Sequence, residues 1–263
     1  MEKTVKNQEV KDRYADIISG KYEGDYEFNR WFTTMRDWMD YYMTYRAIKF
    51  HLGRFDFTNC LELGPGPGTW TRLLFRRKPG ARFDLVDISA EMRGQFMLDM
   101  REQENVNYVL SDIMDFEGED EGEDGDGKRR EYDLFFSSRA IEYLEDQKGL
   151  IAKLHGMIAP GGHGLVVTKN PAFNPGLFGG MGFGRAKRSK RSFHSGQMLP
   201  EEFKLFLEEV GFKNVQFYPV IFRMAWDRFG AGSSMKKFHK FFEKPLTAAQ
   251  SRYCESYIIS FEK

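Results

Sequence analysis

The chain holds only two cysteines in 263 residues and carries no excess of charge of either sign. Cys60 and Cys254 stand far apart, each in an apolar run, which argues against a disulfide framework or a cysteine-held metal; two reduced core thiols are expected, and no metal site is assigned. Lys plus Arg and Asp plus Glu total 39 each, so no overall positive field draws the chain to nucleic acid. No stretch approaches the roughly 18 consecutive apolar residues of a membrane-crossing helix, and the polar opening Met1–Lys11 lacks the apolar segment of a secretory signal. A cytoplasmic, soluble protein is expected. What is present is ordinary core material: hydrophobic residues make up 41% of the chain, enough to fill a large α/β domain.

Two tracts interrupt that material. Glu117–Asp126, rich in Glu, Asp and Gly, cannot bury enough apolar surface to order itself and reads as a surface insertion of unassigned role. Asn170–Gln197 opens with Pro and Gly, continues through Arg185, Lys187, Arg188, Lys190 and Arg191, and reads as a long functional loop. Between and around them, strand and helix patterns alternate. Strands are expected at Asn59–Leu63, Arg82–Asp87, Val106–Leu110, Tyr132–Ser137, Gly164–Thr168, Val215–Phe222 and Tyr253–Phe261, and helices at Gly68–Arg76, Ala90–Glu104, Asp146–Met157 and Pro200–Val210. Such alternation predicts a largely parallel sheet covered on both faces, with ligands at the carboxyl ends of its strands. One domain over residues 1–263 is expected: a helical cap at 1–56, a core at 57–169, and insertions on the substrate side at 170–199 and 223–250.

The strongest local signal is Leu61-Glu62-Leu63-Gly64-Pro65-Gly66-Pro67-Gly68-Thr69-Trp70, a strand that runs into a glycine loop and then a helix. Glycines there permit tight turns and close approach of the backbone to a ligand, and the helix start offers free N–H groups. Asp87 ends the next strand, where a carboxylate can accept hydrogen bonds from both ribose hydroxyls of a nucleoside. A tight turn with Asp87 as a helix cap is the alternative, but it leaves the order of strand, loop, helix, strand and acid unexplained. A dinucleotide loop of the G-x-G-x-x-G type needs glycine at 69, which is Thr69, so NAD is disfavoured.

In these residues the sequence resembles the class I methyltransferase family, which places an acid ahead of a G-x-G-x-G loop, here Glu62, Gly64, Gly66 and Gly68. Asp87, followed by Ile88, resembles the family's ribose-binding acid, and Asp112-Ile113 its adenine contact. Tyr132–Leu144 is similar to the fourth strand and the turn facing the methyl group, and Ile158-Ala159-Pro160-Gly161-Gly162 to the turn before the fifth. The resemblance covers roughly Cys60–Thr168. It implies a Rossmann-like three-layer sandwich, a mostly parallel seven-stranded sheet with an antiparallel last strand, and S-adenosyl-L-methionine as cofactor, with S-adenosyl-L-homocysteine as product. Pro65 and Ser137 join the implied cofactor contacts, and Tyr22 and Tyr26 from the cap could close over the methionine moiety. Asp112 also fits a plain polar turn, Ser137 and Ser138 a strand end, and Glu142 a solvent-facing position.

Methyl transfer is an in-line displacement that depends on positioning, and a hydroxyl or ammonium acceptor also needs its proton removed. His194, after the basic loop, is the candidate general base; a capping or surface histidine is the alternative. Trp31, Met35, Trp38, Tyr42 and Tyr45 follow helical spacing, which suits a buried helix or one lining a pocket. Trp38, Tyr42, Arg139, Glu142, Phe173 and Phe183 are the candidate substrate contacts, and a small or medium-sized, partly hydrophobic acceptor methylated at O or N is expected. Clustered bases leave weak contact with an anionic membrane surface open, and the oligomeric state is unassigned. Spermidine synthases share the fold, but Ser137-Ser138-Arg139-Ala140 stands where their paired acids belong. The remaining alternatives are a non-catalytic binding scaffold and a nucleic-acid methyltransferase using the basic loop.

Overall fold

A computed structural model describes residues 2–16, 18, 20, 25–100, 103–118, 130–173, 197–222, 243–251 and 254–263. Short apolar runs with alternating faces become strands β1 (Asn59–Leu63), β2 (Arg82–Asp87), β3 (Val106–Leu110), β4 (Tyr132–Ser138), β5 (Ile158–Lys169), β6 (Lys213–Phe222) and β7 (Cys254–Glu262). They form one sheet in the order β3-β2-β1-β4-β5-β7-β6. Strands β1 to β5 pair in parallel, and β7 runs antiparallel between β5 and β6. This is the expected Rossmann-like sheet with an antiparallel last strand.

Alternation along the strands gives each face its own core. Leu61, Val86, Phe135 and Val166 pack with helices α6 (Gln147–Met157) and α7 (Pro200–Val210) through Leu150, Leu154, Phe203 and Leu207. Cys60, Leu85, Phe136 and Leu165 pack on the other face with α3 (Met35–Leu52), α4 (Thr71–Arg77) and α5 (Ala90–Met100) through Ile48, Leu52, Leu74 and Phe96. Two further helices, α1 (Glu2–Asp16) and α2 (Tyr26–Trp31), precede these. Among the described residues no helix is long and apolar enough to cross a membrane.

Three local differences from the sequence expectation have identifiable causes. The single helical stripe from Trp31 to Tyr45 is two helices, because Thr34 takes an extended conformation (φ −131°, ψ 156°) and its Oγ accepts from the Asp37 N–H to cap α3. Helix α4 starts at Thr71, not Gly68, since Gly68 has φ +85°. Strand β5 starts at Ile158, and its Pro-Gly-Gly segment is an irregular opening stretch of the strand, where the register against β4 shifts and the Gly161 N–H donates to the Lys263 carbonyl.

Candidate active site

Strand order reverses between β1 and β4, so the loops leaving these neighbours diverge and open a cleft at their carboxyl ends. The cleft is open to solvent at its mouth and spans about 1130 Å³ when that mouth is counted. One wall comes from the ends of β1 to β4, the other from α1 and α2.

The glycine loop builds the first wall, and its glycines do different jobs. Gly64 has φ +68°, and a Cβ there would stand 2.3 Å from the Ala140 Cβ, so the loop after β1 and the turn after β4 touch only because residue 64 has no side chain. Gly68 is likewise needed for packing, since its Cβ would meet Phe96 of α5 at 2.9 Å, and it does not line the cleft. Gly66 has open space above it, with Met92 Sδ 3.8 Å from a built Cβ, and its N–H donates to Asp87 Oδ2 at 3.1 Å. The backbone at Gly66 therefore forms part of the cleft floor.

Asp87 Oδ1 accepts from the Ser89 N–H at 2.9 Å. Burial raises its pKa, opposed by the backbone donors of Ser89, Gly66 and Ile88. A desolvated carboxylate fixed from behind and lining the cleft is suited to accept from a pair of hydroxyl groups. Asp112 lies one strand over; its Oδ1 accepts from the Met114 N–H at 3.0 Å, while Ile88 and Ile113 supply apolar lining beside the two acids. Pro65 completes this wall.

The second wall is aromatic and basic. Tyr14 and Tyr143 meet edge to face with centroids 5.9 Å apart, and burial raises both phenol pKa values. Trp31 packs edge-on against Trp70 at 5.8 Å, and Arg30 lies over the Trp31 ring at 4.0 Å. The side chains of Arg72 and Glu27 pair, tying α4 to α2. Tyr26 lines the same wall. At the β4 end, Arg139 takes the left-handed conformation (φ 68°), with Ser138 and Ala140 beside it in the lining.

Several expected site residues lie elsewhere. Glu62 is buried beneath the loop rather than in the cleft; burial raises its pKa to about 8, with the negative charge of Asp87 adding to the shift. The Thr71 hydroxyl beside it opposes that rise. Ser137 faces into the sheet, donating to the Leu63 carbonyl at 3.1 Å, and its neighbour Ser138 faces the cleft. Trp38 and Tyr42 stack on each other at 5.6 Å outside the lining, because α3 turns Met39, Met43, Ile48 and Leu52 inward as a layer helix. Glu142 is fully buried, accepting from the Thr168 hydroxyl and the Lys169 N–H, so neither solvent nor the cleft reaches it. Phe173 sits in a turn, its N–H donating to the Asn170 carbonyl, and is not part of the lining. Tyr22, Phe183 and His194 lie outside the described residues. Among those that are described, no group of His, Cys, Asp and Glu is arranged to hold a metal.

Tyr14, Arg30 and Trp70 enter the lining without having been expected there, and Ser138 and Tyr143 enter it from the segment expected to face the methyl group. Val10 and Tyr14, one turn apart on a mostly polar helix, were the readable signal for α1.

Residues 34–217 match the family model described as a methyltransferase domain. The chain is 28% identical over 104 residues to malonyl-[acyl-carrier protein] O-methyltransferase 2 of Ilyobacter polytropus, covering 40% of this chain and 36% of that one. It is 31% identical over 103 residues to trans-aconitate 2-methyltransferase of Variovorax paradoxus, covering 39% and 35%. These matches thus span about a third of the curated relatives' length. In fold it is similar to the N-methyltransferase NodS of Bradyrhizobium japonicum in complex with S-adenosyl-L-homocysteine, at TM-score 0.55 and 16% identity over 89% of this chain and 90% of that one.

Proposed function

The chain belongs to the methyltransferase-domain family, and we propose that it is an S-adenosyl-L-methionine-dependent methyltransferase acting at O or N of a small or medium-sized, partly hydrophobic molecule. The observation that carries this reading is Asp87: a half-buried carboxylate, fixed by the Gly66 and Ser89 N–H groups, at the tip of the strand beside the glycine loop. When bound, S-adenosyl-L-methionine supplies an electrophilic methyl group on a sulfonium.

The residues present fit such a group. Asp87 accepts from the ribose hydroxyls, and Asp112, Ile88 and Ile113 flank the adenine. Gly64, Pro65 and Gly66 give the backbone floor, and Tyr26 and Arg30 hold the amino-acid end. Glu62, Gly68 and Ser137 act one step removed, by shaping the loop and the β1–β4 junction. A single domain with a helical cover belongs to the same reading, as does a cytoplasmic setting, where the buried free thiols Cys60 and Cys254 stay reduced.

Calorimetric titration with S-adenosyl-L-homocysteine, with NAD as the control, tests the reading. Saturable one-site binding of the sulfur nucleoside and no heat from NAD is the expected result; silence toward the sulfur nucleoside rejects it.

A further inference from the structure

The charged lining of the cleft divides by sign. Asp87 and Asp112 stand at the ends of β2 and β3, whereas Arg30 and Arg139 stand on α2 and after β4. Arg139 is held in an unfavourable backbone conformation, φ 68° without being glycine, at a cost of about 1 kcal/mol. Its N–H donates to the Val167 carbonyl, its Nε to buried Glu142 at 3.3 Å, and its Nη1 to Ser256 Oγ at 3.0 Å. Nη2 makes no hydrogen bond among the described residues, and Arg139 lines the cleft, so the guanidinium there is braced by Glu142 and Ser256. A braced guanidinium recognises a planar anion better than a mobile one, because its geometry is set before binding.

We infer that the methyl acceptor is a carboxylate with an apolar body, held by Arg139, and that one of its oxygens is methylated. This rests on the reading above. The carboxylate oxygen forms the new C–O bond as the C–S bond breaks, the electron pair stays on sulfur, and the products are a methyl ester and a neutral thioether. No proton is released, so no base is required. Tyr14 and Tyr143 in the lining hydrogen-bond each other, and burial raises both pKa values, so the phenols keep their protons. Lys169 adds positive charge nearby, and its pKa is lowered by burial and then by Arg139. Val10, Trp31 and Leu144 give the acceptor's body apolar surface.

The probes are octanoate and its uncharged analogue octanamide, titrated into the full chain loaded with S-adenosyl-L-homocysteine. Octanoate is expected to bind at least tenfold more tightly than octanamide. Arg139→Gln should erase that preference while S-adenosyl-L-homocysteine affinity stays within twofold, and Arg139→Lys, which retains charge and guards against a folding defect, should keep part of it. Arg30→Gln should instead weaken S-adenosyl-L-homocysteine but not 5′-methylthioadenosine, which lacks the amino-acid end. Equal binding of octanoate and octanamide to the loaded protein overturns the inference and leaves the methyltransferase reading intact. A tenfold loss of S-adenosyl-L-homocysteine in Arg139→Gln also overturns it, by assigning Arg139 to the nucleoside ligand. Absence of any S-adenosyl-L-homocysteine binding sinks both together.

Discussion

The two walls of the cleft are made by different means. The strand-end wall is backbone: Gly64 and Gly66 at positive φ, and carboxylates pinned by main-chain donors. The helical wall is side chains laid against it, held by the Trp31–Trp70 contact and the Arg72–Glu27 pair. A wall made of backbone restricts substitution where it touches its neighbour, as at Gly64, whose Cβ would have nowhere to go. One made of side chains can be repacked. The strand-end wall therefore suits the invariant part of a ligand and the helical wall the variable part.

The largest effect should come from Gly64→Ala. Its new methyl would overlap Ala140 at 2.3 Å, with φ +68° adding strain. A destabilisation of about 3 kcal/mol is expected in urea unfolding, combining overpacking and left-handed strain. Gly66→Ala is the internal control, because its Cβ meets only Met92 Sδ at 3.8 Å and only the φ +55° strain remains, about 1 kcal/mol. If the two variants lose the same stability, the close approach of Ala140 to Gly64 does not constrain this wall and that part of the contrast fails.

Asp87→Asn comes next. It keeps the shape of the side chain while removing its charge, and should weaken S-adenosyl-L-homocysteine by about 10- to 100-fold, the loss expected of hydrogen bonds to an ionised group. Calorimetry reads this directly. A change below twofold would remove Asp87 from the ribose and leave the strand-end wall without its main polar contact.

The same division explains what the sequence revealed. β1, β2 and β3 have the expected bounds, and Asp87 the expected place, because period-two apolar runs and a glycine loop are local signals. Ser137 and Ser138 could be told apart only by strand parity: alternate side chains point to opposite faces, and the strand extends one residue beyond its expected end. The helical wall depends on rotation and docking. The Thr34 cap resets the phase of α3, so Trp38 and Tyr42 leave the stripe that Trp31 began. Nothing in the residues around Arg139 announces a left-handed backbone at a position that is not glycine, and that conformation aims its side chain.

The smallest effect expected concerns pH and contrasts the layer helix α3 with the strand-end wall. His51 on α3 is packed on Tyr218 of β6 with ring centroids 4.3 Å apart, and neither ring nitrogen has a hydrogen-bond partner among the described residues. Burial first, and the Arg54 charge second, lower its pKa to about 3 from an ordinary 6.5. The unfolded chain then binds a proton between these values that the folded chain refuses, so the stability tied to neutral His51 is complete above pH 6.5 and is lost as pH falls toward 3. Glu62 has the opposite sign: its pKa is raised to about 8, so folding is increasingly penalised as pH climbs from the ordinary carboxylate range to 8. His51→Phe keeps a ring on Tyr218 and removes the proton site. Relative to the parent, any constant packing difference aside, it should gain about 0.1 kcal/mol or less at pH 7.5 and about 0.8 kcal/mol at pH 6. Urea unfolding at the two pH values measures the difference. An unchanged pH slope would mean that His51 takes up its proton in the folded state as readily as in the unfolded chain, and that α3 does not hold it dry against the sheet.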